Sequence, residues 1–211
     1  MIPLILRLKK QAHKEVAKAQ DIIVETLYRT FDEAVIHGGT SIWRCYNGNR
    51  FSEDIDVYLN RDIKKIDRFF DNLKQRGFNI EKKKISQNSI YSTLKYNKTI
   101  VRFEALFKKI KGSLKEYETA EGNYITVYTL TPEELIKEKS ETYLKRQKIR
   151  DLYDVFFLLR HVQDASQIKK VLTKLLNKFK KPIDEKDLRV IITEGLVPDV
   201  NQMLLYIKRK I

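Results

Sequence analysis

The chain has 211 residues, 42 of them Lys or Arg against 28 Asp or Glu, for a formal net charge of +14. A soluble chain of this length can bury a real core, and 42% hydrophobic with 33% charged residues is a globular composition. No run approaches the ~18 consecutive apolar residues of a membrane span, and one cysteine, Cys45, excludes an internal disulfide and a cysteine-based zinc site.

Residues Leu4 to Thr30 read as one long amphipathic helix, with Leu4, Leu8, Ala12, Val16, Ile23 and Leu27 near one face. The apolar order at the amino terminus, hydrophobic first and basic after, is the reverse of a signal peptide, so the expected location is cytoplasmic. Ala34 to His37 is a short strand stopped by Gly38-Gly39, and Ser41 to Tyr46 a brief helix. Ile55, Val57 and Leu59 alternate with Asp54, Asp56 and Tyr58 at strand period. Ile63 to Arg76 is helical, and Gly77 suits its C-terminal cap. Ile90 to Tyr96 and Thr99 to Phe107, joined by Asn97-Lys98, read as a β-hairpin, followed by a strand at Tyr124 to Tyr128. Thr131-Pro132-Glu133-Glu134 is a helix start with a capping box, and from there to Ile211 the pattern is helical with breaks near Arg146, Gln163, Pro182 and Pro198. The expected class is α+β: a small mixed sheet with flanking helices over residues 1–130, then a helical bundle over 131–211.

The positive balance favours polyanionic partners, because each neutralised phosphate releases counterions. A lysine-rich solvated surface would produce the same balance. Charge alone is therefore compatible with nucleic acid and says nothing sharper.

The chemistry concentrates in His37-Gly38-Gly39-Thr40-Ser41 and in Ser52-Glu53-Asp54-Ile55-Asp56-Val57. A strand entering Gly-Gly-Thr-Ser and then a helix aims backbone N–H groups and two hydroxyls at one point, where a helix N-terminus favours phosphate. Asp54 and Asp56, two apart on a strand, leave the same face. Two such carboxylates repel unless a cation lies between them, and paired hard oxygen ligands suit Mg²⁺. The competing reading is a solvated edge strand. Glu104 is a lone acid in an otherwise apolar strand end, placed to share a second metal with Asp56 and to take a proton from an attacking hydroxyl, or simply to pair with Arg102. Further on, Lys139, then Lys148, Arg150, Asp151 and Asp154 form a basic and acidic patch that could clamp a triphosphate, or could be surface ion pairs of small value. His13, His37 and His161 are scattered and make no metal set, Trp43 is expected in the core, and Tyr91-Ser92-Thr93 has no assigned role.

Taken in order, Gly-Gly-Thr, Ser-x-Asp-x-Asp, a lone strand acid, and Lys-x-Arg-Asp-Leu-Tyr-Asp resemble the AbiEii/AbiGii toxin family of polymerase-β-like nucleotidyltransferases. "RFSEDIDVYL" and "RQKIRDLYDVFFLL" are the specific stretches, and the resemblance runs from about Ile36 to Leu159. It implies transfer of NMP from an NTP to an acceptor, with pyrophosphate leaving and Mg²⁺, as two ions, neutralising charge. Gly38, Gly39, Thr40, Ser41 and Ser52 would then hold phosphate, joined by Lys139, Lys148, Arg150 and Asp154 from the later motifs. Asp54, Asp56 and Glu104 would bind metal, and Asp151 is a second candidate base beside Glu104. The implied acceptor is RNA, tRNA in some members, and a cognate antitoxin is an implied partner. A protein acceptor, or a non-catalytic RNA-binding module on the same fold, are the alternatives.

Overall fold

The computed structural model describes residues 2–211 and separates into two compact units. The first comprises residues 1–45 and 51–129; the second joins 46–50 to 130–211. Among the described residues no helix is long and apolar enough to cross a membrane.

The first unit is built on helices α1 (Leu4–Arg7), α2 (Gln11–Tyr28), α3 (Gly38–Cys45) and α4 (Ile63–Gln75) and strands β1 (Val35–His37), β2 (Ile55–Leu59), β3 (Phe78–Ile85), β4 (Ser89–Tyr96), β5 (Thr99–Phe107), β6 (Ser113–Glu118) and β7 (Tyr124–Thr129). The strands form one mixed sheet in the order β3-β4-β5-β2-β1-β7-β6. β1 pairs antiparallel with β2 and parallel with β7, and β2 pairs parallel with β5. Alternation decides the faces: Ile55 and Val57 of β2, Val101, Phe103 and Ala105 of β5, and Ile90 and Leu94 of β4 enter a core with Ile23 and Leu27 of α2 and Ile66, Phe69 and Phe70 of α4. Burying such side chains, at roughly 1.5–3 kcal/mol each, is what fixes the strand register.

The expected single leading helix is two. The backbone becomes extended at Leu8 and Lys10, so α1 stops a turn before α2 begins. The cause is tertiary: Leu4 and Leu8 bury into a separate cluster with Ala17, Trp43, Phe51 and Ala120, while the Ile5 amide donates to the Ala120 carbonyl at 2.8 Å. Trp43 is a core residue, as expected. α3 begins at Gly38 rather than Ser41, because Gly38, at φ +72, turns the chain out of β1 directly into the helix.

The second unit carries α5 (Pro132–Arg146), α6 (Ile149–Leu158), α7 (Ser166–Asn177), α8 (Leu188–Ile191) and α9 (Val200–Lys208). Thr131 caps α5 in the expected box with Glu134. Gln147, left-handed at φ 49, ends α5 and lets α6 fold back. The short segment 46–50 is held here by Tyr46 Oη donating to the Leu130 carbonyl at 2.6 Å and by an Arg50–Ile192 bridge. The breaks expected near Arg146, Gln163, Pro182 and Pro198 are present, and the last two are longer than single turns. The stretch after Asn177 passes through Pro182, a 3₁₀ turn at Glu185–Asp187 and an irregular run at residues 192–199. Thr193 there donates its amide to the Asn49 carbonyl at 2.8 Å instead of to a helical neighbour.

Candidate active site

In the first unit the end of β1, the start of α3, the start of β2 and the middle of β5 converge. His37 lies opposite Asp56 across the β1–β2 ladder, and Asp56 lies opposite Glu104 across β2–β5. Parallel neighbours in register sit about 4.8 Å apart with side chains on the same face. The two carboxylates are thus side by side, each half-buried. Burial, then the charge of Asp56, pushes the Glu104 carboxyl above its ordinary value, against the opposing pull of Arg102.

Gly38 abuts this pair. A Cβ added there would fall on the Asp56 carboxylate oxygen, with Asp56 Cγ 3.1 Å away. Only glycine allows the α3 N-terminus to approach the acid so closely. The hydroxyls that the sequence aimed outward turn inward. Thr40 Oγ1 donates to the Asp54 carbonyl and Ser41 Oγ lies 3.5 Å from the Gly38 carbonyl, both residues fully buried. What this turn offers an anion is backbone N–H. Gln20 Nε2 ties the arrangement to α2 by donating to the Ser52 carbonyl at 2.9 Å.

Asp54 sits one residue before β2 rather than on it. Arg102 Nε and Nη2 grip its two oxygens at 2.7 and 2.5 Å. Among the described residues no three His, Cys, Asp or Glu side chains gather in metal-holding geometry. Mg²⁺ needs only one or two protein carboxylates, the rest being water and phosphate. Asp56 and Glu104, two hard oxygen donors whose mutual repulsion already raises Glu104, fit such an ion; Asp54 can join them only when Arg102 lets go.

In the second unit, Asp154 of α6 is almost wholly buried between Arg50, at 2.7 Å from both Nε and Nη2, and Lys139 Nζ at 2.8 Å. Burial alone would raise its carboxyl, but Arg50 and Lys139 together hold it below the ordinary range. Asp151 is fully buried too, taking Arg146 Nε and Nη2 at 2.8 and 2.9 Å, with Lys139 at 3.7 Å. Lys148 turns instead to Asp184 at 3.5 Å, and Arg150 is half-buried on the first turn of α6. The later motif is therefore a buried charge network centred on Lys139, not a row of surface ion pairs.

The AbiEii family model, described as nucleotidyl transferase AbiEii toxin of type IV toxin–antitoxin systems, matches residues 25–196. The chain belongs to the AbiEii family. It is accordingly a nucleotidyltransferase and, by family, the toxin of a toxin–antitoxin pair. Among solved structures it resembles JHP933 from Helicobacter pylori, at 20% identity over 95% of this chain and 90% of that one, with a TM-score of 0.65. It likewise resembles MenT4, a nucleotidyltransferase toxin from Mycobacterium tuberculosis H37Rv, at 17% identity over 94% and 82% of the two chains, TM-score 0.66. At these identities the likeness is one of fold. No curated protein matches the sequence.

Two arginines, one in each unit, escaped sequence reasoning. Arg50 heads the very stretch "RFSEDIDVYL" that carries the acids, yet its partner Asp154 is 104 residues away and no local pattern joins them. Arg102 was visible only as a partner for Glu104, whereas it closes on Asp54.

Proposed function

We propose that this AbiEii chain transfers NMP from an NTP to an RNA, tRNA being the favoured acceptor, in a Mg²⁺-dependent reaction. The observation that carries the reading is the in-register pair Asp56–Glu104 beside the glycine turn at Gly38. Backbone N–H groups at the start of α3 bind the leaving phosphates, helped by the helix dipole. Asp56 and Glu104 are the proposed metal ligands, joined by Asp54 once its arginine is displaced; the ion, when bound, neutralises charge developing on the transferred phosphoryl group. Glu104, with its raised carboxyl, accepts the proton of the attacking hydroxyl as that oxygen bonds the α-phosphorus and pyrophosphate departs.

Asp151 is less suited to that proton, since both its oxygens already accept from Arg146. Lys139, Lys148 and Arg150 are the proposed phosphate-contacting groups of the second unit, with Asp154 holding Lys139 in position. The net charge of +14 is compatible with a polyanionic acceptor.

The test supplies each α-³²P NTP with Mg²⁺ to the full chain and total tRNA, beside the Asp56→Asn variant. Label in RNA that disappears in the variant is the expected result. Label in polypeptide alone overturns the RNA acceptor, and label in RNA undiminished by Asp56→Asn overturns the metal assignment.

A further inference from the structure

The face of the sheet that carries Asp56 and Glu104 does not end at β5. Glu104 lies opposite Tyr91 of β4, and Tyr91 lies opposite Lys84 of β3. One straight row thus runs Asp56, Glu104, Tyr91, Lys84 across four strands. A second row beside it runs Arg102, Thr93, Lys82. The opposite face of the same strands, through Phe103, Ser92, Leu94 and Ala105, is sealed into the core. On the carboxylate side Tyr91 and Thr93 are half-buried and Lys82 and Lys84 exposed.

Two details separate this face from an ordinary lysine-rich edge. Lysines on edge strands commonly guard against strand pairing, and β3 is an edge. Yet Lys83, pointing the other way, pairs with Asp67 at 2.9 Å, and on the acid's own face Lys95 is compensated by Glu81 at 3.5 Å. Lys82 and Lys84, on the acid's face, make no ion pair among the described residues. Lys82 Nζ instead stands 5.0 Å from the Tyr91 ring centroid. Lys82, Lys84, Ser86, Ser89 and Tyr91 line an open depression of about 480 Å³. An aromatic flanked by uncompensated cations is the arrangement that holds single-stranded nucleic acid, by stacking on the base and neutralising the backbone.

We infer that the single-stranded end of the RNA acceptor lies across β5, β4 and β3 on this face, one base stacked on Tyr91 and the backbone against Lys82 and Lys84. Two strand spacings of about 4.8 Å separate Lys84 from Glu104, so the chain end leaving Tyr91 is directed at the carboxylate that takes the proton. The inference rests on the RNA-acceptor reading above and adds to it the residues that position the acceptor. Tyr91 is a positioning residue: it stacks, and has no part in the displacement.

The test measures binding of a fluorescent single-stranded RNA oligonucleotide to the full chain without NTP, and separately kcat and KM for RNA in transfer, for wild type, Tyr91→Ala, Tyr91→Phe and Lys82→Ala/Lys84→Ala. Tyr91→Ala should weaken RNA binding and raise KM for RNA roughly 5- to 150-fold, the range of one stacked base. Tyr91→Phe should restore both, and NTP affinity should not move. The double lysine variant, altering two exposed side chains, should flatten the salt dependence of log K by about 1.4, or ~0.7 per lost phosphate contact. If the wild type labels RNA while all three variants bind and use it unchanged, the track is overturned and the acceptor reading stands. If the wild type places no label in RNA, the acceptor reading falls and takes the track with it.

Discussion

Arg102 holds both carboxylate oxygens of Asp54, at 2.7 and 2.5 Å, from a neighbouring position on the same sheet face as Glu104. A bidentate guanidinium occupies the directions from which a cation would approach. Arg102→Met should therefore free Asp54 and tighten Mn²⁺ binding, read by titration calorimetry or electron paramagnetic resonance, by roughly tenfold, the order of one charged hydrogen-bond pair. Unchanged or weaker Mn²⁺ binding would remove Asp54 from the metal ligands.

Gly38→Ala should damage transfer far more than stability. Placing a Cβ at φ +72 costs about 1–2 kcal/mol, and here it also strikes the Asp56 carboxylate. Gly77→Ala is the matched control, since Gly77 has φ +90 but its nearest neighbour, on Tyr96, is 3.6 Å away. Thermal unfolding should fall by similar amounts in both variants while only Gly38→Ala loses metal binding and transfer. Equal activities would show that the glycine's approach to Asp56 is incidental.

The raised carboxyl of Glu104 sets a pH dependence of stability in the metal-free protein. Where the folded state holds a proton that the unfolded chain has released, stability falls as pH rises. The window opens near the ordinary value of 4.5 and closes at the raised folded one. Asp21, buried under Arg44 and pushed up to about 6, contributes with the same sign. Glu104→Gln should remove its share alone, so the stability difference between variant and wild type should grow with pH across that window and then level off. A difference independent of pH would mean that burial and the charge of Asp56 together do not raise the Glu104 carboxyl.

Asp154→Asn should cost about 3–5 kcal/mol in the second unit, because Arg50 and Lys139 are left buried with their main counter-charge gone. Lys148→Met breaks only a partly exposed contact to Asp184 and should cost under about 1 kcal/mol. Chemical denaturation checks both. A loss of transfer in Lys148→Met without loss of stability assigns that lysine to substrate; full activity removes it from the phosphate-contacting set.

The legible parts of this fold were those whose signals are local. The β4–β5 hairpin, the Thr131 capping box and the alternation of β2 each lie within a few residues, and the sheet and helices they predict are present. β3 and β6 were not anticipated. Both are edge strands, and their exposed Glu and Lys positions erase the apolar alternation that marks a strand. At the candidate site the acids and glycines were readable as types, and Glu104 was expected beside Asp56, where the β2–β5 register sets it. Arg50 meets Asp154 through a pairing whose separation leaves no periodicity to read. The inward turn of Thr40 likewise depends on the Asp54 carbonyl, fourteen residues on.

The parallel pairing of β2 with β5 also joins parts of the chain that are synthesised far apart. A chain emerging from its amino terminus releases Gly38, Asp54 and Asp56 early, but these acquire no partner carboxylate until β5, beginning at Thr99, has followed. β1 waits longer still for its parallel neighbour β7, which ends at Thr129. Contacts of such long sequence separation form late. Translation products aborted before Thr99 therefore carry the glycine turn and both aspartates yet lack the strand that sets Glu104 beside Asp56.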